Sequence, residues 1–357
     1  MQLDNPVDPL TTLPSLARAR VTGAYAKTAV ETARQAGADM QRLGQACGLG
    51  DLHECLPESI PVQGYVALLD AAATQLADPF FGIHVGQRMR LPTFASYGLV
   101  LCTCADFRTV IQQTLRFEGL AHDLGRSEVA EHDGVAHYRW HSPWLAVAGA
   151  RHLSESVMAG IHTFANWLAG EPVPVIDVAF VHARPMEVPL ADYQRELGVP
   201  VRFGVAVTEA RFPAAVLDVS VLNADTSLFR ELTRTAEQRL LARQREAQEQ
   251  PIVQAVRARI QALLTHDAAR LPEVARALGL SARTLQRKLA EADASFSDLL
   301  DASRRELAQQ YLGDRSLALT EIAFLLGFGQ QSNFNHAFRA WFGTTPAAWR
   351  AAQQARS

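Results

Sequence analysis

Two polar stripes carry the side chains best placed for chemistry in this 357-residue chain. Arg283, Gln286 and Arg287 are spaced i, i+3, i+4, which puts them on one face of a helix. Gln331, Ser332, Asn333 and His336 form a similar stripe further on. Arg can donate to both acceptors of guanine, Gln and Asn can pair with adenine, and Ser serves either. The chemistry on offer is the reading of base edges in double-stranded DNA. For one stripe alone, a solvated polar face is the competing reading, because most surface helices show one.

The elements that position the stripes are a helical motif written twice. The first copy runs Leu271-Pro-Glu-Val-Ala-Arg-Ala-Leu-Gly279-Leu280, followed by a helical stretch from Ser281 to Leu289. The second runs Leu319-Thr-Glu-Ile-Ala-Phe-Leu-Leu-Gly327-Phe328, followed by Gln331 to Phe338. Glu273, Ala275, Gly279 and Leu280 match Glu321, Ala323, Gly327 and Phe328 at an offset of 48. One extra residue in the second turn brings Leu285 onto Phe334 and Leu289 onto Phe338. Such a repeat is far harder to reach by chance than a single helix pair.

Each copy predicts a helix-turn-helix. Apolar residues at helical spacing build the first helix, a glycine stops it in the left-handed conformation, and Ser281 caps the next helix of the first copy. Between the copies, Phe296 to about Leu312 predicts a helix of roughly 25 Å at 1.5 Å per residue. A strut of that length can hold two reading helices about one DNA turn apart, roughly 34 Å.

Residues 257–350 resemble the DNA-binding domain of the AraC/XylS family of bacterial transcription regulators. The resemblance rests on Ala323 to Pro346, then Trp349-Arg350. It implies seven helices, with Arg283, Gln286 and Arg287 reading one major groove and Gln331, Ser332, Asn333 and His336 the next. His336 stands where relatives commonly carry Arg. Ser281, Arg304 and Arg339 are the candidate phosphate contacts. RNA polymerase and a second copy of the chain are the expected partners besides DNA.

Charge supports this placement. Residues 1–250 hold 21 Lys+Arg against 28 Asp+Glu, net −7, whereas residues 251–357 hold 13 against 9, net +4. The excess sits where phosphates are expected, though it is modest. The first residues lack the basic and apolar pattern of a secretion signal, and no apolar run approaches the ~20 residues of a membrane span. Four scattered cysteines make no disulfide framework. The expectation is a cytoplasmic protein that is not bound to a membrane.

The front half predicts alternating strands and helices, hence an α+β class: a mixed α/β sensor domain ahead of an all-α domain with two helix-turn-helix motifs. The divisions expected are a loose lead-in (1–20), an effector-binding and dimerisation domain (21–223), a helical linker (224–250) and the DNA-binding domain (251–357). Helices are expected from Val21 to about Ala46 with a break at Gly37-Ala-Asp39, from Val66 to Leu76, from about Asp106 to Phe117 and from Ala150 to Leu168. Strands are expected at Gly134–His141, Val173–His182 and Val199–Thr208. Gly134–His141 alternates, placing His137, Arg139 and His141 on one face and Tyr138 and Trp140 on the other.

Arg116, Tyr138, Arg139, Trp140 and His141, with Trp144 nearby, are the candidates for holding a small anionic or aromatic effector; core aromatics and surface charges are the competing reading. Tyr65 to Gly86, with Asp78-Pro-x-x-Gly82-x-x-x-Gly86, and Tyr97-Gly98-Leu99 resemble the effector and dimerisation domain of one AraC/XylS branch. That branch holds regulators of arginine and ornithine catabolism and of mycobacterial virulence. The resemblance implies a small-molecule or partner sensor. The charged stretch 224–250 reads equally as a dimer-forming helix or a solvated connector.

An enzyme is the rival class. Cys102-Thr-Cys104 invites a metal reading, but Cys47 and Cys55 are eight apart and nothing pairs them as zinc ligands. His137 and His141 lie over ~13 Å apart on an extended strand. No nucleophile elbow, Walker loop or dinucleotide fingerprint is present. The expectation is a non-enzymatic, effector-responsive activator with no cofactor and no metal. A front half that only binds proteins, or a thiol- or metal-responsive sensor, are the alternatives.

Overall fold

A computed structural model describes residue 10 and residues 13–52, 56–147, 149–248, 250–264, 269–314 and 316–354, and divides the chain into two units, Met1–Arg243 and Gln244–Ser357. The first opens with β1 (Arg20–Thr22), α1 (Gly23–Gln35), α2 (Met40–Ala46), β2 (Ser59–Pro61), α3 (Val62–Leu76), α4 (Phe81–Gln87), α5 (Ala95–Cys102) and α6 (Phe107–Phe117). Then come β3 (Arg126–His132), β4 (Val135–His141), α7 (Ala150–Ala169), β5 (Asp177–Phe180), α8 (Leu190–Leu197), β6 (Val201–Phe203) and β7 (Thr208–Pro213). Helix α9 (Thr226–Gln248) runs through the division.

Five strands form one sheet in the order β3-β4-β7-β5-β6, antiparallel except for β5 beside β6. The alternation of β4 sorts its side chains as a two-faced strand should. Tyr138 and Trp140 are buried, while His137, Arg139 and His141 sit half-buried on the opposite face. Aspartates start the helices the sequence marked. Asp39 accepts from the Arg42 amide at 3.0 Å and Asp106 from the Thr109 amide at 2.8 Å, each satisfying a free helical N–H.

The two glycines of the Asp78–Gly86 motif bring α4 onto α7. A Cβ on Gly82 would lie 2.4 Å from the His152 carbonyl oxygen, and one on Gly86 2.6 Å from both Ala159 Cβ and the Ser156 carbonyl oxygen. Only a residue without a side chain permits that approach.

Several expected elements differ. Of Val173–His182 only Asp177–Phe180 pairs as a strand; the Val173 amide instead donates to Asn166 Oδ1 at 2.8 Å. Val199–Thr208 is two elements, because Gly204 turns the chain at φ +70 between β6 and β7. Helix α3 starts four residues before Val66. Helix α9 lays Phe229, Leu232, Ala236 and Leu240 on the first unit's own core and leaves Leu228 and Leu241 exposed. Arg116 holds Glu237 at 2.6 Å and Arg243 holds Asp123 at 2.7 Å, which fixes α9 along the unit.

Within the described residues the second unit is α10 (Pro251–Leu264), α11 (Leu271–Ala277), α12 (Ala282–Ala290), α13 (Phe296–Gly313), α14 (Leu319–Leu325), α15 (Gln331–Phe342) and α16 (Pro346–Gln354). It has two cores rather than one. Val256, Ile260, Val274, Leu285 and Leu289 build the first, and Ile322, Leu326, Phe334 and Phe338 the second. Helix α13 joins them: Leu299 is buried in one, Ala308 and Leu312 in the other, and Leu307 packs on both.

Candidate nucleic-acid interface

The two repeats fold alike down to their backbone hydrogen bonds. In the first, the Gly279 amide donates to the Arg276 carbonyl at 3.0 Å and the Leu280 amide to the Ala275 carbonyl at 2.9 Å. In the second, Gly327 donates to Phe324 at 2.9 Å and Phe328 to Ala323 at 2.9 Å. Both glycines lie at φ +68. This paired closure satisfies the last carbonyls of α11 and α14 and aims the chain into the second helix.

Each second helix then buries one face and leaves the other in water. Leu285 and Leu289 of α12 are buried, as are Phe334 and Phe338 of α15. Arg283, Gln286 and Arg287 are exposed on α12; Ser332, Asn333 and His336 are exposed on α15, with Gln331 half-buried. Arg287 pairs with Glu291 at 3.2 Å with both side chains largely exposed, an arrangement that water and salt weaken and a nucleic-acid acceptor can displace.

The three candidate phosphate contacts part company. Arg339 is exposed on α15. Ser281 Oγ caps α12, accepting from the Thr284 amide at 3.1 Å, and shares a hydrogen bond with Thr284 Oγ1 at 2.8 Å. Arg304 is engaged within its own unit. Its Nε donates to the Leu326 carbonyl and its Nη2 to the Gly327 carbonyl, both at 3.0 Å, and its guanidinium lies 4.5 Å from the Phe328 ring centroid. It ties α13 to the turn of the second repeat, which an exposed phosphate contact does not do.

The five effector candidates do not converge. Arg139 and His141 meet at Glu128, at 3.3 and 2.8 Å, on the charged face of the sheet; Arg139 also approaches Glu209 at 3.7 Å. Tyr138 and Trp140 point into the core on the other face. Arg116 is on α6, paired with Glu237. Trp144 is buried, donating from Nε1 to the Asp123 carbonyl at 3.1 Å.

Behind Tyr138 lies a cavity that the sequence did not disclose, because its walls come from distant stretches. It is bounded by α5, α6, α7 and the inner face of the sheet, and has a volume of about 110 Å³. Beside it, Tyr138 shares a hydrogen bond with Ser127 Oγ at 2.5 Å, and Ser127 donates its amide and hydroxyl to the buried Glu118 carboxyl, each at 2.8 Å. Burial pushes Glu118 up to about 7, with Arg126 opposing.

The three described cysteines sit among helices as small buried groups. Cys47, Cys102 and Cys104 are buried free thiols hydrogen-bonded to helical carbonyls, and burial, aided by Asp106, pushes Cys104 up to about 12. Cys55 lies outside the described residues. Among the described residues, no helix is long and apolar enough to cross a membrane.

Comparison with known proteins places both halves. The arabinose-binding domain of AraC transcription regulators matches residues 37–221, and a helix-turn-helix domain matches residues 274–352. The chain is 28% identical over 342 residues to the ornithine utilization regulator of Pseudomonas aeruginosa, covering 92% of this chain and 96% of that one. It is 27% identical over 292 residues to the regulator VirS of Mycobacterium tuberculosis, covering 81% and 83%. The crystal structure of the transcriptional regulator CdpR from Pseudomonas aeruginosa aligns with 76% of this chain and 87% of its own, at 22% identity and a TM-score of 0.39. With one family domain spanning more than half its length and a helix-turn-helix domain behind it, the chain belongs to the AraC family of DNA-binding transcription regulators.

Proposed function

We propose that the protein is an effector-responsive activator that reads two successive major grooves with one polypeptide. The observation that carries this is the duplicated, identically closed helix-turn-helix with an exposed polar stripe on each second helix. Arg283, Gln286 and Arg287 read one half-site, and Gln331, Ser332, Asn333 and His336 the other, by the donor and acceptor pairing of the major groove. Arg339 and the start of α12 at Ser281 hold phosphates and set register. Helix α13, 18 residues and roughly 27 Å long, is the spacer between the two cores.

The first unit senses a small molecule, a reading supported by the matching effector-domain family and by the cavity behind Tyr138. Helix α6 forms part of that cavity wall and also carries Arg116, which holds α9 through Glu237. An occupied cavity thus acts on the helix that leads out of the sensing unit, shifting the population of DNA-competent arrangements. The family resemblance extends the reading to a non-enzymatic cytoplasmic protein, active as a homodimer and contacting RNA polymerase.

Selection of bound sequences from random duplex DNA, followed by footprinting, tests the DNA half. The expected product is a site with two protected major-groove windows about 10.5 bp apart on one side of the duplex. A single window per chain would remove the two-groove reading.

A further inference from the structure

The cavity of the first unit carries a chemical restriction on what it can take. Phe94, Phe107, Phe164 and Phe212 contribute aromatic wall, and no Asp, Glu, Lys or Arg is among the lining residues. An ion moved into such a space loses its hydration and meets no counter-charge, and a polyol leaves most of its hydroxyls without partners. Apolar walls favour apolar guests; an enclosed apolar cavity of roughly 150 Å³ in another protein takes benzene. At about 110 Å³ this one suits a single ring.

One polar group on the wall has a defined role. Asn166 Oδ1 accepts the Val173 amide at 2.8 Å, so the amide nitrogen of Asn166 is the group facing His162 Nε2 at 3.4 Å. That makes Nε2 the acceptor and leaves the imidazole proton on Nδ1. Burial holds His162 below its ordinary range, so the ring is neutral near pH 7. A neutral imidazole N–H donates to a carbonyl or hydroxyl oxygen without demanding an anion.

We propose that this cavity binds a neutral, apolar molecule about the size of one aromatic ring, with one oxygen held by His162, and that it excludes amino acids, carboxylates and sugars. The proposal rests on the effector reading above for its regulatory meaning, but not for its chemistry. It departs from the amino acid and the sugar named by the relatives, since neither finds charged or numerous polar partners on these walls.

The test uses the full chain and a matched set: toluene and benzyl alcohol against benzylamine, benzoate, L-ornithine and L-arabinose. Binding is read by calorimetry and by thermal shift, and operator occupancy is read in parallel. Toluene and benzyl alcohol are expected to bind and, at tenfold excess over Kd, to raise the melting temperature by roughly 3–5 °C. The other four are expected to give no shift. His162→Phe is expected to remove the preference for benzyl alcohol over toluene, about tenfold in Kd, while toluene still binds. Ala165→Phe, or Ala210→Leu should the first variant not fold, fills the space and is expected to abolish binding of both neutral probes, with cooperative unfolding retained as the check that the variant folds.

Absence of binding by both neutral probes overturns the proposal, and so does binding that survives the filling variants. Binding of ornithine, benzoate or arabinose that the filling variants abolish overturns the ligand class while the effector reading stands. Neutral probes that bind in the cavity without changing operator occupancy support the ligand class and refute the effector reading.

Discussion

Arg304 separates two physical roles that one residue type can play near DNA. Replacing it with Met keeps most of the stem's packing and removes the guanidinium. The loss includes two charge-assisted hydrogen bonds to the Leu326 and Gly327 carbonyls and the contact over Phe328. Hydrogen bonds to a charged group contribute about 1.5–3 kcal/mol each, and an exposed cation–π contact about 0.5–1 kcal/mol. Because the side chain is half-buried, water replaces part of this, leaving a loss of about 2–4 kcal/mol. In a unit of this size that lowers melting by roughly 8 °C or more.

Calorimetry of the full chain reads the melting change, and amide exchange should show it concentrated in α14 and the turn at Gly327. The salt dependence of DNA binding should keep its slope, since no phosphate contact is lost. Arg339→Met is the contrasting variant: little change in stability, and a slope reduced by about 0.9. If Arg304→Met left stability within about 0.5 kcal/mol and lowered the salt slope by about 0.9, the capping role would be wrong and the sequence expectation right.

Two further outcomes follow from the first unit. Gly86→Ala places a Cβ 2.6 Å from a backbone oxygen that cannot rotate away, so denaturant unfolding should show a loss of about 1–3 kcal/mol or more, whereas the exposed turn glycine Gly134→Asn should cost little. Glu118 is raised by burial to about 7 in the folded state, against about 4.3 in an unfolded chain. The folded state therefore binds the proton more tightly. Its contribution is fully present below about pH 4 and is lost as pH rises through about 7, up to about 4 kcal/mol. Glu118→Gln should flatten the stability profile over that window, and an unchanged profile would place the titration elsewhere.

What the sequence disclosed and what it hid divide along the range of the interactions involved. The helix-turn-helix pair was legible because Gly279 and Gly327 stop helices through bonds that span only five residues, and because Leu285, Leu289, Phe334 and Phe338 repeat at helical spacing. The alternation of β4 was legible for the same reason. Helix α5 was not, since Ala95–Cys102 is apolar almost throughout and shows no face. Strand β7 was misplaced because Val199–Thr208 is continuous in composition, and only Gly204 marks the break.

The site residues depend still more on tertiary placement. Arg304 has the charge and position of a phosphate contact, and only the closure of Gly327 beside it shows where its donors go. Arg139 and His141 carry effector-like chemistry, yet the sheet turns them onto Glu128 and gives the cavity to Tyr138, Thr114 and His162 instead. No spacing in the sequence joins Phe94, Ile111, Phe164 and Phe212, which meet only when α5, α6, α7 and the sheet pack.

The most direct measurement is base-by-base binding of Arg287→Ala and Asn333→Ala against a selected operator in which every position is varied. The account predicts that each variant loses about 1–3 kcal/mol of discrimination at its own position, with the two positions in half-sites about 10.5 bp apart. Relaxation of the same base by both variants, or uniform weakening on every sequence, would contradict it.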